Sequence, residues 1–538
     1  MIRMSDLSIP LDTPLDAAGL RALAARCVNL PAACVQACHL RKRSVDARRK
    51  SDVRLTLTLE VQLDAPEAEA AAVAAHRRAP PKIALVPETP AVSRPAYPPP
   101  PAVRPVVVGA GPAGLFAALA LAEAGWAPLL LERGAPVEQR QRDVASFWRG
   151  GPFDPQSNVQ FGEGGAGTFS DGKLTSGIQD PRCRKVLQTL AAHGAPEEIL
   201  YQAKPHIGTD RLPAAVKALR ERICALGGEV RFYAQLTGLS VEGDALRGVT
   251  VRAEGGEERL DAAHLVLAIG HSARDTFEML HAAGLHMEQK AFSVGVRIEH
   301  AQAAIDRAQY GGFAGHPALG AAEYKLAAHL PGGRAVYTFC MCPGGQVVAA
   351  SSEPGGVCTN GMSAFARDGA NANSALLVGV SPADFPSAHP LAGVALQREL
   401  ERAAFAAGGG GYRAPAQLAG DLLAGRESRA LGEVLPTYLP GVALGDLRCC
   451  LPPFVLDALR EALPRFGRQV RGFDAPDVLL TAPETRSSSP VRIPRGADGQ
   501  ASIRGLYPAG EGAGHAGGIL SAAVDGLKAA ERVLEAYI

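Results

Sequence analysis

The stretch Val106-Val-Val-Gly109-Ala-Gly111-Pro-Ala-Gly114, running on through Leu-Phe-Ala-Ala-Leu-Ala-Leu-Ala-Glu123 to Leu129-Leu-Leu-Glu132, decides the fold class. Val106 to Val108 reads as a buried strand, Pro112 to Ala124 as an Ala/Leu helix with proline in its first turn, and Pro128 to Leu131 as a second buried strand. Strand, tight turn, helix and strand make a βαβ unit. Gly109 permits the turn, Gly111 lets the backbone approach a pyrophosphate, and Gly114 lets the helix pack closely on the strand. The helix start, including Ala113, offers free N–H groups and a positive dipole end to phosphate. Glu132 stands at the end of the second strand, where a carboxylate can accept hydrogen bonds from a ribose diol, and Arg133 follows it. Strand, spacing, helix and acid together predict a dinucleotide site. The same reading removes a membrane span from the uncharged run Pro105 to Ala122, which glycines and a proline interrupt.

Two further glycine clusters choose the dinucleotide. One runs from Phe161 to Gly177 and holds Gly164, Gly165, Thr168 and Lys173; such a loop can turn backbone N–H groups toward a ligand. The other, Gly505-Leu-Tyr-Pro-Ala-Gly510-Glu511-Gly-Ala-Gly-His515-Ala-Gly517-Gly518-Ile519, opens the last helix. A strand ending in Gly-Glu before a glycine turn and a helix suits a flavin domain: the acid binds the ribityl chain and the helix N-terminus faces the ring, stabilising negative charge on its reduced form. An NAD domain needs no such closing segment. FAD is therefore the expected cofactor.

Outward from the core unit, period-two alternation from Val53 to Leu63 predicts a half-buried strand, with helices over Asp16 to Cys27, Pro31 to Ala37 and Pro66 to His76. Ten prolines between Pro80 and Pro105 predict an extended connector. Downstream come a helix over Leu212 to Leu226, a strand over Glu229 to Tyr233, a β-meander over Leu236 to Leu260, and a buried strand over Leu265 to Ile269 ending at Gly270. Several β-like runs between Phe292 and Val380 predict a separate antiparallel sheet, and helices follow near Leu391 to Phe405 and Phe454 to Leu463. The fold class expected is α/β: a Rossmann-type FAD-binding domain, three-layered with a β-meander, an inserted α+β substrate domain, and a small N-terminal α+β domain. The expected boundaries are 1–79 for the N-terminal domain, 80–104 for the linker, 105–289 and 481–538 for the FAD-binding domain, and 290–480 for the insert.

With 538 residues, 47% hydrophobic and 20% charged, the chain has globular composition, and its formal net charge of +1 gives no general electrostatic case for nucleic acid or an anionic membrane. Met1 to Pro10 lacks the apolar core of a secretory signal, so a cytoplasmic location is expected. The ten cysteines follow no regular framework and include no Cys-x-x-Cys, which argues against a zinc ribbon and the usual redox dithiol; no metal is expected.

The motifs GAGPAGLFAALALAEAGWAPLLLERG, NVQFGEGGAGTFSDGKL, HIGTD, FSVGVRIEH, FCMCPGG, ASSEPGGVCTNGMS, ETRSSSPVRI and LYPAGEGAGHAGGILSAAVDG, with SVDARRK near the start, resemble the FAD-dependent dehydrogenase family of bacteria and plastids, within the glutathione-reductase-like flavoprotein superfamily. The resemblance spans the chain. It implies FAD contact at Gly109, Gly111, Gly114, Glu132, Glu511, Gly518 and Ile519, further contact from Gly164, Gly165, Thr168 and Lys173, Arg140 at the pyrophosphate and the Leu236 backbone at the adenine. A second G-x-G-x-x-G for NAD(P)H is not visible in the sequence, although NAD(P)H stays open as electron donor.

Two residues are candidates for catalysis. Lys173 can stabilise the reduced ring or position a water beside it, and His515 can act as acid or base; the bland readings are a paired lysine and a histidine held by backbone. Cys340 and Cys342, at i and i+2 on a strand, are expected on one face, as small buried hydrophobes or as a redox pair. The basic run His39 to Lys50 is expected as a solvated or docking face, and Ser487 to Pro490 as hydroxyls toward a ligand or as a turn. The function expected is hydride transfer between a small-molecule substrate and flavin N5. Two other readings are an RNA-binding or RNA-modifying flavoprotein that uses the basic N-terminal domain, and a chain whose flavin is purely structural.

Overall fold

A computed structural model describes residues 1–76, 81–87 and 97–537. The chain divides into two compact units, one comprising Met1–Ala96, Pro196–Pro205 and Asp306–Ala322, the other Tyr97–Ala195, His206–Ile305 and Glu323–Ile538.

The first unit is an antiparallel sheet in the order Val35–Asp46, Arg54–Leu63, Ile2–Ile9, Lys82–Leu85. Leu55, Leu57, Leu59, Val61 and Leu63 all turn into its core, as the alternation requires. The helix Ala17–Cys27 starts at Asp16, whose carboxylate accepts from Gly19 N at 2.7 Å, and lays Leu20, Leu23 and Ala24 on that face. Three sequence expectations change here. Pro31 to Ala37 is a single 3₁₀ turn, Ala32–Cys34, leading into a long strand, because Val35 onward pairs with Arg54–Leu63. The first strand, Ile2–Ile9, is hidden in the sequence because a bulge between Met4 and Leu7 breaks the period of two. Lys82–Leu85, expected in the connector, is the fourth strand; Pro80 and residues 88–96 of that connector lie outside the described residues.

The unit also recruits two segments expected elsewhere. Arg43 N donates to Tyr201 O at 2.7 Å and Ala203 N to Arg43 O at 2.9 Å, satisfying the open edge of Val35–Asp46, while Phe313, Ala318 and Leu319 pack on its core. Three residues of the basic run find partners within the unit: Arg41 pairs with Glu60 at 2.6 Å, Arg48 with Asp46 at 2.6 Å, and Arg43 donates to Ala318 O at 2.7 Å.

In the second unit, five parallel strands run in the order Leu506–Pro508, Leu265–Leu267, Val106–Val108, Leu129–Leu131, Glu229–Arg231. A meander of Gln235–Glu242, Ala245–Ala253 and Gly256–Asp261 follows the last of them. A seven-stranded sheet has the order Ala327–His329, Ala335–Cys342, Asn371–Val380, Phe292–Ala301, Leu479–Glu484, Ala414–Leu418, Val442–Leu444, antiparallel except for its last pair. Residues expected as separate first, inserted and closing segments thus share one compact unit, and the expected boundary at 480 cuts Leu479–Glu484, which pairs with strands on both sides. The terminal helix Ile519–Glu535 packs on Pro112–Glu123, so closely that a Cβ on Gly526 would lie 1.9 Å from Ala113 O. Among the described residues no helix is long and apolar enough to cross a membrane.

Candidate functional site

A cavity of about 310 Å³ opens at the carboxyl ends of the parallel strands, where α/β sheets bind ligands. Its glycine cradle is built as the motif requires. Gly109 has φ +98°, and a Cβ there would lie 2.3 Å from Ala268 O; a Cβ on Gly114 would lie 1.7 Å from Gly109 O. Gly111 differs, because its nearest neighbour would be Gly165 Cα at 3.7 Å, leaving its backbone open to a ligand. Gly111, Ala113, Gly165, Gly270, Gly510, Gly517, Gly518 and Ile519 all line the cavity, and the terminal helix points its uncapped start at Gly518 into it.

Glu132 is buried and lines the cavity, and its carboxylate clamps three backbone segments. Oε2 accepts from Ala110 N at 2.8 Å, while Oε1 accepts from Gly134 N at 2.9 Å and Gly162 N at 3.1 Å. Three N–H donors leave one of about four acceptor sites for a ligand diol. Beside it, Arg133 lies 4.1 Å over the Phe161 ring and pairs with Asp275 at 2.7 Å, forming a wall with Gln235 and Leu236.

A second group lining the same cavity is polar and titratable: Lys173, Cys340, Asn360, Glu484, Arg486, Ser487 and Glu511. Lys173 Nζ is buried, 3.2 Å from Asp171 Oδ2, and makes no hydrogen bond. Burial works to lower its pKa, but Asp171 and the two thiols of Cys342 and Cys340 outweigh it, so the ammonium is retained. Asp171 is locked in turn by the Ser363 hydroxyl and by the Nε and Nη2 edge of the Arg367 guanidinium. Burial pushes Glu511 up to about 7 against Lys290, and pushes Glu484 up to about 7 against Arg297. Two carboxyl groups at neutral pH thus sit near their midpoint.

Four expected contacts fall elsewhere. Arg140 does not reach a pyrophosphate: it is fully buried, and its guanidinium donates to the carbonyls of Asn158, Val159, Gly162, Glu163 and Gly165. It shapes the glycine loop from behind. Gly164 N is taken by Ala110 O at 2.8 Å and Thr168 is buried against Glu163 O, so neither lines the cavity. His515 is also outside it, with Nε2 bonded to Ile493 O at 2.9 Å and a pKa lowered by burial; the bland reading describes it.

Sequence reasoning missed the pillar under the polar group. Arg486 is held by Glu401, which also takes Arg274 at 2.8 Å, and Glu353 bridges Arg274 to Arg398. Arg486 lay inside a quoted motif, but Glu401, mid-helix among other charges, gives no local signal. His271 also lines the cavity, and burial lowers it to about 3, so it is neutral.

Residues 291–487 match the model of the family described as "FAD-dependent protein, C-terminal domain-like", and residues 1–62 match a domain of unknown function, DUF8436. An "Uncharacterized protein" of Clostridium beijerinckii is 44% identical over 538 residues, covering 100% of this chain and 99% of that one. Among solved structures, a geranylgeranyl bacteriochlorophyll reductase-like protein of Thermoplasma acidophilum is 15% identical over 80% of this chain and 78% of that one, with a TM-score of 0.36. A flavoprotein/dehydrogenase of Cytophaga hutchinsonii is 12% identical over 81% and 79%, with a TM-score of 0.37. FAD is the cofactor, and the residues present fit it: an open glycine cradle, a clamped acid with a spare acceptor site, and a buried ammonium with no hydrogen-bond partner. Residues 291–487 match the model of an FAD-dependent protein C-terminal domain, and over its whole length the chain belongs to the family of the clostridial protein.

Proposed function

We propose that the chain is an FAD-dependent oxidoreductase that moves hydride between a small-molecule substrate and the flavin. The observation that carries this reading is one cavity lined both by a dinucleotide cradle and by a cluster of polar, titratable side chains. Bound FAD supplies the two-electron chemistry. The residues Gly109, Gly111, Ala113, Glu132, Arg133, Leu236, Gly270, Gly510, Glu511, Gly517, Gly518 and Ile519 hold it, and Gly165 closes the pyrophosphate side. Lys173 is the catalytic candidate that remains: a fixed ammonium, preorganised by Asp171, stabilises negative charge developing on a reduced ring without reorganising at the moment of reaction. Arg486 and Ser487 orient the substrate from the seven-stranded sheet side, and the Arg486–Glu401 pair keeps that guanidinium still.

The test is anaerobic mixing of the purified yellow protein with NADH, NADPH and pools of small metabolites while flavin absorbance is followed. Bleaching by at least one donor and recovery with an acceptor is expected. A bound flavin that no donor reduces would overturn the oxidoreductase reading and leave a structural flavin.

A further inference from the structure

Cys340 sits at the one place where the strand Ala335–Cys342 leaves its ladder. Phe339 pairs with Ala375 and Cys342 with Asn373, so the strand carries one extra residue there, and Cys340 has φ +43°. A β-bulge re-aims side chains, so the simple alternation expected to put Cys340 and Cys342 on one face does not apply. Cys340 lines the cavity, while Cys342 is buried and its thiol donates to Cys340 O at 3.3 Å. A non-glycine residue in the left-handed region is strained and persists only where its surroundings hold it. Here Arg297, fully buried on Phe292–Ala301, two strands across the sheet, holds the same carbonyl with both terminal nitrogens, at 3.2 and 3.1 Å.

We propose that Cys340 and Cys342 are a dithiol–disulfide couple opening on the flavin cavity, with Cys340 the attacking thiolate, Cys342 the resolving thiol, and a small organic disulfide as the oxidant. The charges around the pair favour this division. The neighbouring Cys342 side chain lowers the Cys340 pKa; burial opposes it, Lys173 and Arg297 assist, and Asp171 opposes, leaving it at about 6. Cys342, beside the Cys340 side chain and buried, is pushed well above its ordinary value. Glu484 and Glu511, the other titratable groups near Cys340, carry carboxyls raised to about 7, so their opposing charge is only partly developed at neutral pH. One thiolate beside one protonated thiol is the arrangement thiol–disulfide exchange needs.

The chemistry balances without further reagents. Cys340 thiolate attacks one sulfur of R–S–S–R, forming Cys340–S–S–R and expelling one thiolate. That thiolate takes the Cys342 proton, and Cys342 sulfur attacks Cys340 sulfur, forming Cys340–S–S–Cys342 and releasing the second R group as thiolate, which takes a proton from solvent. Two electrons pass from the pair to the small disulfide, which leaves as two thiols. Excess small thiol runs the steps backward.

The test uses the reduced, flavin-containing protein and needs no electron donor to the flavin, so it succeeds or fails separately from the oxidoreductase reading. Iodoacetamide labelling from about pH 5 to about pH 9, read by peptide mass spectrometry, should show Cys340 modified with a midpoint near 6. The exposed Cys224 serves as the internal control. Lys173→Met should raise that midpoint and slow Cys340 labelling, by about threefold at pH 6.5 for a rise of about one pKa unit. Treatment of the wild-type protein with bis(hydroxyethyl) disulfide should give a Cys340–Cys342 disulfide in the peptide map, and Cys342→Ser should trap a mixed disulfide at Cys340. Labelling of Cys340 no faster than Cys224 at pH 6.5, or a wild-type map in which the two sulfurs never join, would overturn the proposal. The wild-type map decides it even if a variant fails to fold.

Discussion

Arg486 and Glu401 are joined by two parallel hydrogen bonds, Nε to Oε1 at 2.8 Å and Nη2 to Oε2 at 2.7 Å, with both side chains out of water. The same carboxylate takes both terminal nitrogens of Arg274, at 2.9 and 2.8 Å. One carboxylate thus serves two buried guanidiniums. Burial alone would raise its pKa, but the two arginines overcome it and hold Glu401 far below the usual carboxylate range.

Replacing Glu401 with Ala leaves both guanidiniums short of charge in a dry site. A cost of about 3–5 kcal/mol is expected, read as a lower urea midpoint with unchanged slope. Flavin affinity should fall with it, because Arg486 lines the cavity.

Gly114→Ala puts a Cβ 1.7 Å from Gly109 O, where backbone rather than a flexible side chain must yield. Overpacking of this kind costs about 1–3 kcal/mol, and the strained turn belongs to the phosphate cradle. The purified variant should carry much less flavin than wild type, measured by the ratio of visible to ultraviolet absorbance. Gly125→Ala, a positive-φ glycine with nothing within 4 Å, should retain its flavin.

Lys173→Met removes the buried ammonium. The flavin reduction rate should fall by about 10²-fold or more, and the flavin potential should move negative, since the reduced ring loses a stabilising charge. Equal rates and potentials in the two proteins would remove Lys173 from catalysis. His515→Gln, by contrast, should leave the pH–rate profile unchanged, because the histidine faces Ile493 O rather than the cavity.

Burial holds Glu511 at about 7 against a reference of 4.5. Between those values the folded chain binds a proton that the unfolded chain has released, so this group makes stability fall as pH rises through the interval and contributes no further change above it. In flavin-free protein, wild type should therefore lose stability relative to Glu511→Gln from about pH 4.5 to about pH 7, then run parallel. Urea midpoints across pH check this; a constant difference would mean the carboxyl titrates normally.

Local pattern made the parallel sheet legible. Three-valine and three-leucine strands, glycines at fixed offsets and an acid at the next strand end have short-range causes: turn geometry, helix start and close packing. The closing segment was legible for the same reason, and Gly518 indeed sits at the uncapped start of the terminal helix. The two bulges were not. At Met4 to Leu7 and at Phe339 to Cys342 an inserted residue resets the alternation, so period two conceals one strand and misplaces one cysteine.

The sequence by itself determined the βαβ unit with its Gly109, Gly111 and Gly114 turn, because that unit is set by neighbours within one turn or one strand, and the glycine segments at 161–177 and 505–519 gave the cofactor class. Tertiary structure alone decided which polar groups meet. Arg140 turned to carbonyls behind the glycine loop, His515 turned away from the cavity, and Lys173, Cys340 and the Glu484–Arg486 segment came together from far apart in the chain. The physical reason is burial: a charge removed from water must find its partner wherever the packing brings one, and no local spacing records where that is.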